Sequence, residues 1–514
     1  MHHLPGEQIH HFHGGLRLRH HKKISCQDPI ARLPMPERLV IAVNQHAGAT
    51  GRPVVKPGYR VLKGQLIAEA AGVPGARVHA PTSGIIFAIQ DEAIPHPLCI
   101  PQPCIILQPD GRDESVAHEP VWDFRQLEPE QLLGRINRAG ITGLGGAVFP
   151  TAIKVNAARD AGIHTLVLNG AECEPYISCD EMLMREDPQR IIQGAQILHQ
   201  LLGTKRVIFY IEDQMGAVKL ALQTAVEDLK ASAIRIVRVS TIYPEGGERQ
   251  LVQVLTGGEV PSGGFPTDVG ILVQNVATVA AVADAVLDDM PLFQRVVTVT
   301  GDGINHPRNL RVLIGTPISH LVRHCGGYHE GVTRMVMGGP LMGIPLQSDE
   351  LPVTKACNCV LALTEANIQP PQAEMPCINC GECVRVCPAQ LLPQELYWHI
   401  RAKDFKTVKQ LNLADCIECG CCDLICPSHI PLVEYYRYGK SELRTQAAEH
   451  VNAEAARNRY ESRETRLQQV KIEQREQREA KKKLLADDRS RKQAIEAAVA
   501  RSKARKLRRD QEPE

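Results

Sequence analysis

The sequence predicts a multidomain α/β and α+β protein, and three observations lead there. Its 514 residues exceed what one hydrophobic core serves, so several domains are expected. The apolar pattern changes along the chain. Short β-like runs between Gly and Pro give way after about residue 120 to helices alternating with strands, and after about 290 to short mixed elements. Two copies of one cysteine run follow, and past Tyr438 the composition shifts to Ala, Glu, Lys, Arg and Gln. The expected divisions are 1–35, 36–115, 120–290, 291–365, 366–440 and 441–514.

Residues 1–35 carry His2, His3, His10, His11, His13, His20 and His21. The tract reads as metal-binding or as a polar extension laid over the body. The extension is favoured, because the spacing defines no single coordination geometry. In 36–115 the runs Leu39–Val43, Val61–Ala68 and Val78–Ile86 argue a small all-β domain. Its V-x-K-G-Q-x-I-A and A-P-T-S-G segments resemble the barrel-sandwich fold of lipoyl and biotinyl domains. Carriers of that kind present a lysine at a hairpin tip, and Ala70 to Val78 has none, so a structural or docking domain is expected.

In 120–290 a helix over Leu127–Ala139 leads into Gly143-Leu-Gly145-Gly146-Ala147-Val148-Phe149-Pro150-Thr151, with Lys154 beyond. Strands are expected at 164–168, 206–211 and 234–239, in a parallel sheet. The first ends in Asn169-Gly170-Ala171-Glu172-Cys173-Glu174-Pro175. Gly143, Gly145 and Gly146 let backbone amides approach a phosphate, and Lys154 can neutralise it. A turn without a ligand is the bland alternative, since the loop matches neither the dinucleotide nor the P-loop pattern. The apolar stretch Gly270 to Leu287 is interrupted by Gln274, Asn275, Thr278 and Asp284, which argues a buried loop and helix rather than a membrane span.

In 291–365 a strand is expected over Arg295–Gly301, a helix over Pro317–His324, and a strand over Arg334–Gly339 running into the turn Gly338–Gly343. That turn either lies over a cofactor or is only a turn. Cys357 and Cys359 read as structural cysteines, with extra metal ligation as the other reading. The tail from Ser441 can be helical but has too few large apolar residues for its own core. It reads as a solvated charged helix; the alternative is a basic end, Lys503–Arg509, touching anionic lipid or a partner.

Each cysteine run is C-x2-C-x2-C-x3-C-P, first from Cys377 to Pro388 and then from Cys416 to Pro427, with one helical segment expected between. This is the run of two-cluster bacterial ferredoxins. Three close thiolates reach three irons of one cubane, while the fourth cysteine, opening the next helix, points to the other cluster. Cys377, Cys380, Cys383 and Cys426 are therefore expected on one [4Fe–4S] cluster, and Cys387, Cys416, Cys419 and Cys422 on the other. Zinc favours four ligands in two pairs, often with histidine, and this arrangement argues against it. Gly381 and Gly420 stand where the backbone turns over sulfur, and Cys421 reads as a spectator.

The formal net charge of +1 argues against nucleic-acid binding as the main role. No secretory signal is recognised in Met1–His21. Iron–sulfur clusters need a reducing compartment, so the 17 cysteines point to the cytosol, with those outside the clusters mostly free.

The glycine loop G-x-G-G-A-x-F-P-T-x-x-K with N-G-x-E-x-E-P resembles the flavin- and NADH-binding subunit of respiratory complex I. The order of all segments resembles the RnfC family, the C subunits of the Rnf (Rsx) ion-translocating electron-transport complexes. That resemblance implies a barrel-sandwich domain, a flavoprotein-like α/β domain, a β-grasp (SLBB) domain, a two-cluster ferredoxin-like domain and a charged helical tail. It implies FMN phosphate on Gly143–Thr151 beside Lys154, Asn169 and Glu172 facing the flavin or nicotinamide, and Glu174 near the dinucleotide. Glu248, in Tyr243–Leu251, would help seat the nicotinamide, and Asn275 and Thr278 would contact the flavin. The complex I pattern has Arg at Leu144, Gly at Val148 and an acid at Ala171. The implied activity passes electrons from NADH through FMN and the clusters to membrane partners at the cytoplasmic face of the bacterial inner membrane. A ferredoxin stands at the other end, and in some bacteria a redox-sensing transcription regulator is kept reduced. The competing readings are an iron–sulfur relay and docking protein without flavin, a free-standing dehydrogenase, and the related flavoprotein-like component of the sodium-pumping quinone reductase. The last lacks cubane ligands, and the eight cysteines argue against it.

Overall fold

The computed structural model describes residues 9–96, 100–368, 370 and 372–509. His2, His3 and the last five residues of the tail lie outside them. The chain divides into two units, Met1–Gly439 and Lys440–Glu514.

The strands Thr165–Asn169, Arg206–Glu212, Ile234–Val239 and Ile271–Asn275 pair in parallel. Both faces of this sheet are covered, which is why its strands read as nearly unbroken apolar runs. Leu166 and Leu168 pack with helices Pro188–Leu202 and Val276–Leu287, while Val167 between them packs with helix Glu248–Thr256. Gly194 lets the two helices on the first face touch, since a Cβ there would stand 2.0 Å from the Val279 carbonyl oxygen. The expected loop after Gly270 is instead the fourth strand. Only Gln274 and the capping Asn275 separate its apolar run from a buried helix, so neither period stands out in the sequence.

Thr165–Asn169 comes first in the chain, with Arg206–Glu212 on one side and Ile271–Asn275 on the other. The chain thus changes direction across the sheet between Asn169 and Asn275. Open α/β sheets bind ligands at such a switch point, beyond the carboxyl ends of the strands.

The barrel-sandwich part has one sheet of Leu39–Ala42, Gln102–Pro109, Gly84–Glu92 and Arg60–Val61. A second holds Gly51–Pro53, Leu66–Ala70 and Val78–His79, and the two enclose Leu39, Ile41, Ile67 and Ile105. The β-grasp part is a six-stranded mixed sheet around Gln294–Thr300 with helix Ile318–His324. Ala31–Arg32, from the histidine-rich segment, adds its edge strand. That segment is built into the body: Phe12, Lys22 and Ser25 are all buried. Cys357 and Cys359 lie in the cores around the β-grasp sheet.

Between the cysteine runs stand two α-helices, Pro393–Arg401 and Phe405–Gln410, and a 3-10 turn, Leu413–Asp415, where one helical segment was expected. Lys403 takes a left-handed φ of 57° and Asp404 caps the second helix through the Thr407 amide, which together end one helix and start another. A helix spans Leu432–Arg509. From Ala447 to Arg508 it is exposed at every position, as its charged, core-poor sequence requires.

Candidate functional site

Asn169 and Asn275, which end the strands beside the switch point, are register partners. Asn169 Nδ2 donates to the Gly246 carbonyl at 2.8 Å, tying the strand end to the loop of Glu248. Asn275 Oδ1 caps helix Val276–Leu287 through the amides of Ala277 and Thr278, and its Nδ2 donates to Asp180 at 2.6 Å. Thr278 Oγ1 accepts the Leu144 amide at 2.9 Å and so fixes the glycine loop to that helix.

The loop closes on itself, with the Gly143 amide donating to Phe149 O at 2.9 Å and Val148 N to Gly143 O at 3.1 Å. Gly145 lies against Asn275, and a Cβ there would come 3.4 Å from the Asn275 Cβ. Gly146 has φ +113° with open space beside it. Gly145, Gly146 and Ala147 are exposed, and among the described residues their amides make no hydrogen bond. Consecutive free amides in a turn are able to bind an anion, and helix Thr151–Asp160 begins just after them. Lys154 Nζ donates to Val273 O at 2.9 Å and pairs with Glu248. Val148, where the complex I pattern has glycine, takes φ 44°, a left-handed conformation that strains a β-branched residue. Leu144 is buried in the core, its carbonyl accepting from Arg295 at 3.1 Å.

Glu172 is buried, and its carboxylate accepts the amides of Asp180 at 3.0 Å and Glu181 at 3.2 Å, capping helix Cys179–Glu186. Burial pushes its pKa up to about 7 against the pull of Lys22, whose Nζ lies 3.7 Å away. Burial alone would lower the Lys22 pKa, but Glu212, Glu172 and Glu181 together hold it above its ordinary value. Lys22 gave no sequence signal, being one of two lysines in a basic, histidine-rich stretch. Glu174 accepts the amides of Leu341 at 2.7 Å and Met342 at 3.1 Å, so the turn Gly338–Gly343 packs on Glu174. Of the expected residues, Lys154 meets Glu248 and the Val273 carbonyl, and Asn169 meets the Gly246 carbonyl, at the strand ends where Thr278 holds the loop of Gly143, Gly145 and Gly146. Asn275 and Thr278 hold the glycine loop, while Glu172 and Glu174 hold the backbone of neighbouring segments. The free amides, the adjoining lysine and the open glycine fit a phosphate-bearing cofactor.

The cysteine runs form two cavities. Cys377, Cys380, Cys383 and Cys426 line one, and Cys387, Cys416, Cys419 and Cys422, with Cys421, line the other. Each cavity thus holds three cysteines of one run and the fourth of the other, a thiol-rich set suited to a cubane. The second cavity is the inner one. Beside it Gln250 donates to Pro388 O at 3.3 Å, and Tyr243, Cys173 and Leu341 pack near Cys419 and Cys421.

Four family matches tile this architecture. The RnfC barrel sandwich hybrid domain matches residues 10–112, the Nuo51 FMN-binding domain 136–284, the SLBB domain 296–345 and the 4Fe-4S dicluster domain 376–430. The C subunit of the ion-translocating oxidoreductase complex of Serratia proteamaculans (strain 568) is 43% identical over 502 residues, covering 97% of this chain and 70% of that protein. The chain belongs to the RnfC family, the C subunits of ion-translocating oxidoreductase complexes. The family member of Pseudomonas aeruginosa PAO1 is 47% identical over 459 residues, covering 89% of this chain and 59% of that one. That of Edwardsiella ictaluri is 44% identical over 506 residues, covering 98% and 62%. The chain thus spans about three fifths of the length of these two relatives. This RnfC-family fold carries the barrel-sandwich, FMN-binding, SLBB and iron–sulfur domains expected from the sequence. Among the described residues no helix is long and apolar enough to cross a membrane.

Proposed function

We propose that the chain receives hydride from NADH at FMN held in the switch-point crevice and passes electrons singly through two [4Fe–4S] clusters. They go to membrane-embedded partners of an ion-translocating complex at the cytoplasmic face, with a ferredoxin at the far end of the route. The observation that carries this reading is the placing of a free-amide glycine loop and two four-cysteine cavities in one compact unit. When bound, FMN supplies the change from two-electron to one-electron transfer.

The chain's own residues bind and orient. Gly145, Gly146 and Ala147 would hold the phosphate, with Lys154 beside them. Asn169 fixes the Gly246–Glu248 loop against the strand end, and Glu248 keeps Lys154 in place. Cys387, Cys416, Cys419 and Cys422 would hold the inner cluster, and Cys377, Cys380, Cys383 and Cys426 the outer. No side chain is required as nucleophile or general base.

Anaerobic reconstitution, followed by iron, sulfide and flavin analysis and by absorbance and spin-resonance spectra with and without NADH, tests the reading. Two cubane signals and a flavin band bleached by NADH are expected. Zinc in the cysteine cavities, a single cluster, or a flavin band indifferent to NADH defeats it.

A further inference from the structure

We propose that Tyr243 is the bridge by which single electrons cross from the flavin crevice to the inner cysteine cavity. The proposal rests on the function proposed above and deepens it. Tyr243 opens the loop that reaches the crevice at Gly246, whose carbonyl accepts from Asn169, and at Glu248, which pairs with Lys154. Its ring is buried at 2% exposure, and its hydroxyl donates to the Cys419 carbonyl at 2.7 Å. Cys419 lines the inner cavity. A covalent path of three residues, one aromatic ring and one short hydrogen bond therefore joins the two sites.

The joint is also clamped. Leu16 pairs with Tyr243 through two backbone hydrogen bonds of 2.7 and 2.9 Å, while Gly15 N donates to Val386 O at 3.0 Å. His13 Nδ1 lies 3.0 Å from the carbonyl oxygen of Cys387, another lining residue. One strap of the histidine-rich segment is thus stitched to the flavin-side loop and to the cysteine run together. It needs glycine to come so close. Gly14 and Gly15 have φ +72° and +77°, and a Cβ at Gly14 would stand 2.6 Å from Val386 backbone.

Electron tunnelling decays less steeply along covalent and hydrogen bonds than across van der Waals gaps, so one hydroxyl can set the rate. Two other approaches reach the inner run: at Gly420 there is such a gap, since a Cβ there would lie 3.3 Å from Leu341 O, and Gln250 donates to Pro388 O in a longer hydrogen bond of 3.3 Å. Each crossing would move one electron from the flavin to the inner cluster, which would hand it to the outer cluster before the second crossing. The proton freed as the flavin is oxidised would go to solvent, while Tyr243 keeps its own proton and is not itself oxidised.

The test compares the reconstituted full chain with its Tyr243→Phe variant in rapid mixing with NADH, and separately after photoreduction of the flavin. Expected are unchanged flavin bleaching by NADH, cluster reduction slowed several-fold from either source, and unchanged midpoint potentials of flavin and clusters. Unchanged cluster reduction overturns the proposal, as does a slowing fully explained by a shifted potential. Flavin that passes electrons only after photoreduction, with the Tyr243 dependence intact, sinks the NADH reading and leaves the bridge standing. Flavin that reaches the clusters from neither source overturns both. Should Tyr243→Phe lose its clusters, Gln250→Leu, which removes the competing hydrogen bond to Pro388 O, decides instead. It leaves the rate unchanged if Tyr243 is the bridge, and a several-fold slowing there moves the route to Gln250 and overturns the proposal.

Discussion

Ile378 and Ile417 hold the same place in two copies of one loop, yet Ile378 is 68% exposed and Ile417 packs beside Tyr243, Val386 and Cys419. The backbones hardly differ: Gly381 and Gly420 have φ of 78° and 75°, and Asn379 and Glu418 of 55° and 56°. The sulfurs differ with their setting. Cys380 is exposed, whereas Cys387, Cys419 and Cys422 are buried. Local sequence therefore builds two equal cysteine loops, and their surroundings set them apart. The inner one packs on the Tyr243 loop, and the outer one faces outward.

Removing one ligand from each cavity is the strongest way to break this contrast. In Cys419→Ala the outer cluster should stay oxidised when NADH is added, a nearly complete loss of NADH-driven signal. In Cys380→Ala the inner cluster should still be reduced as fast as in the unaltered chain. Low-temperature spin resonance of rapidly frozen samples reads both, and the opposite pattern would place the outer cavity beside the donor. Cluster removal gives a smaller but separate contrast. Iron release to a chelator under mild oxidation should be biphasic, with the faster phase belonging to the solvent-facing site. Cys380→Ala should lack that phase, because access governs attack on the sulfurs.

How much of this asymmetry the sequence held depends on the range of the interaction. The cysteine spacing was readable because a cubane dictates it locally, and the two cavities contain the quartets that crossing implies. Gly146 was readable because its turn takes a φ of +113°, which favours glycine. The strand Ile271–Asn275 was not, since burial on both faces erases alternation and a buried helix follows at once. The strap His13–Leu16 and the buried Lys22 were also hidden. Their partners, Tyr243, Val386 and Glu172, lie 150 or more positions away, and nothing in a histidine-rich stretch announces which residue turns inward.

The two runs also differ just after their glycines, where Glu382 corresponds to Cys421. Cys421 is buried beside Cys419 and lines the inner cavity, where its thiol is among the groups that can donate to a ligating sulfur. Such a donor stabilises the more negative, reduced state of a cluster held by that sulfur. Cys421→Ala should therefore lower the inner midpoint potential. Glu382→Ala should move the outer one less, because Glu382 is partly exposed and paired with Arg385 at 3.0 Å. Potentiometric titration of each spin-resonance signal compares them.

The finest contrast is one methyl group on each loop glycine. Gly381→Ala and Gly420→Ala share the penalty of a left-handed alanine, about 1 kcal/mol, because their φ values are nearly the same. Beyond it they part. The added Cβ at Gly381 meets nothing within 4 Å, while at Gly420 it comes 3.3 Å from the Leu341 carbonyl oxygen. That oxygen is backbone, in a turn held by two hydrogen bonds to Glu174, so it yields only if the turn shifts. Gly420→Ala should therefore be the less stable variant by a further ~0.5–1 kcal/mol of overpacking. The difference between the thermal midpoints of the two cluster-loaded variants isolates this packing term, since the strain common to both cancels. Equal midpoints would mean that the turn moves aside freely, and the inner loop would then be no more tightly seated than the outer.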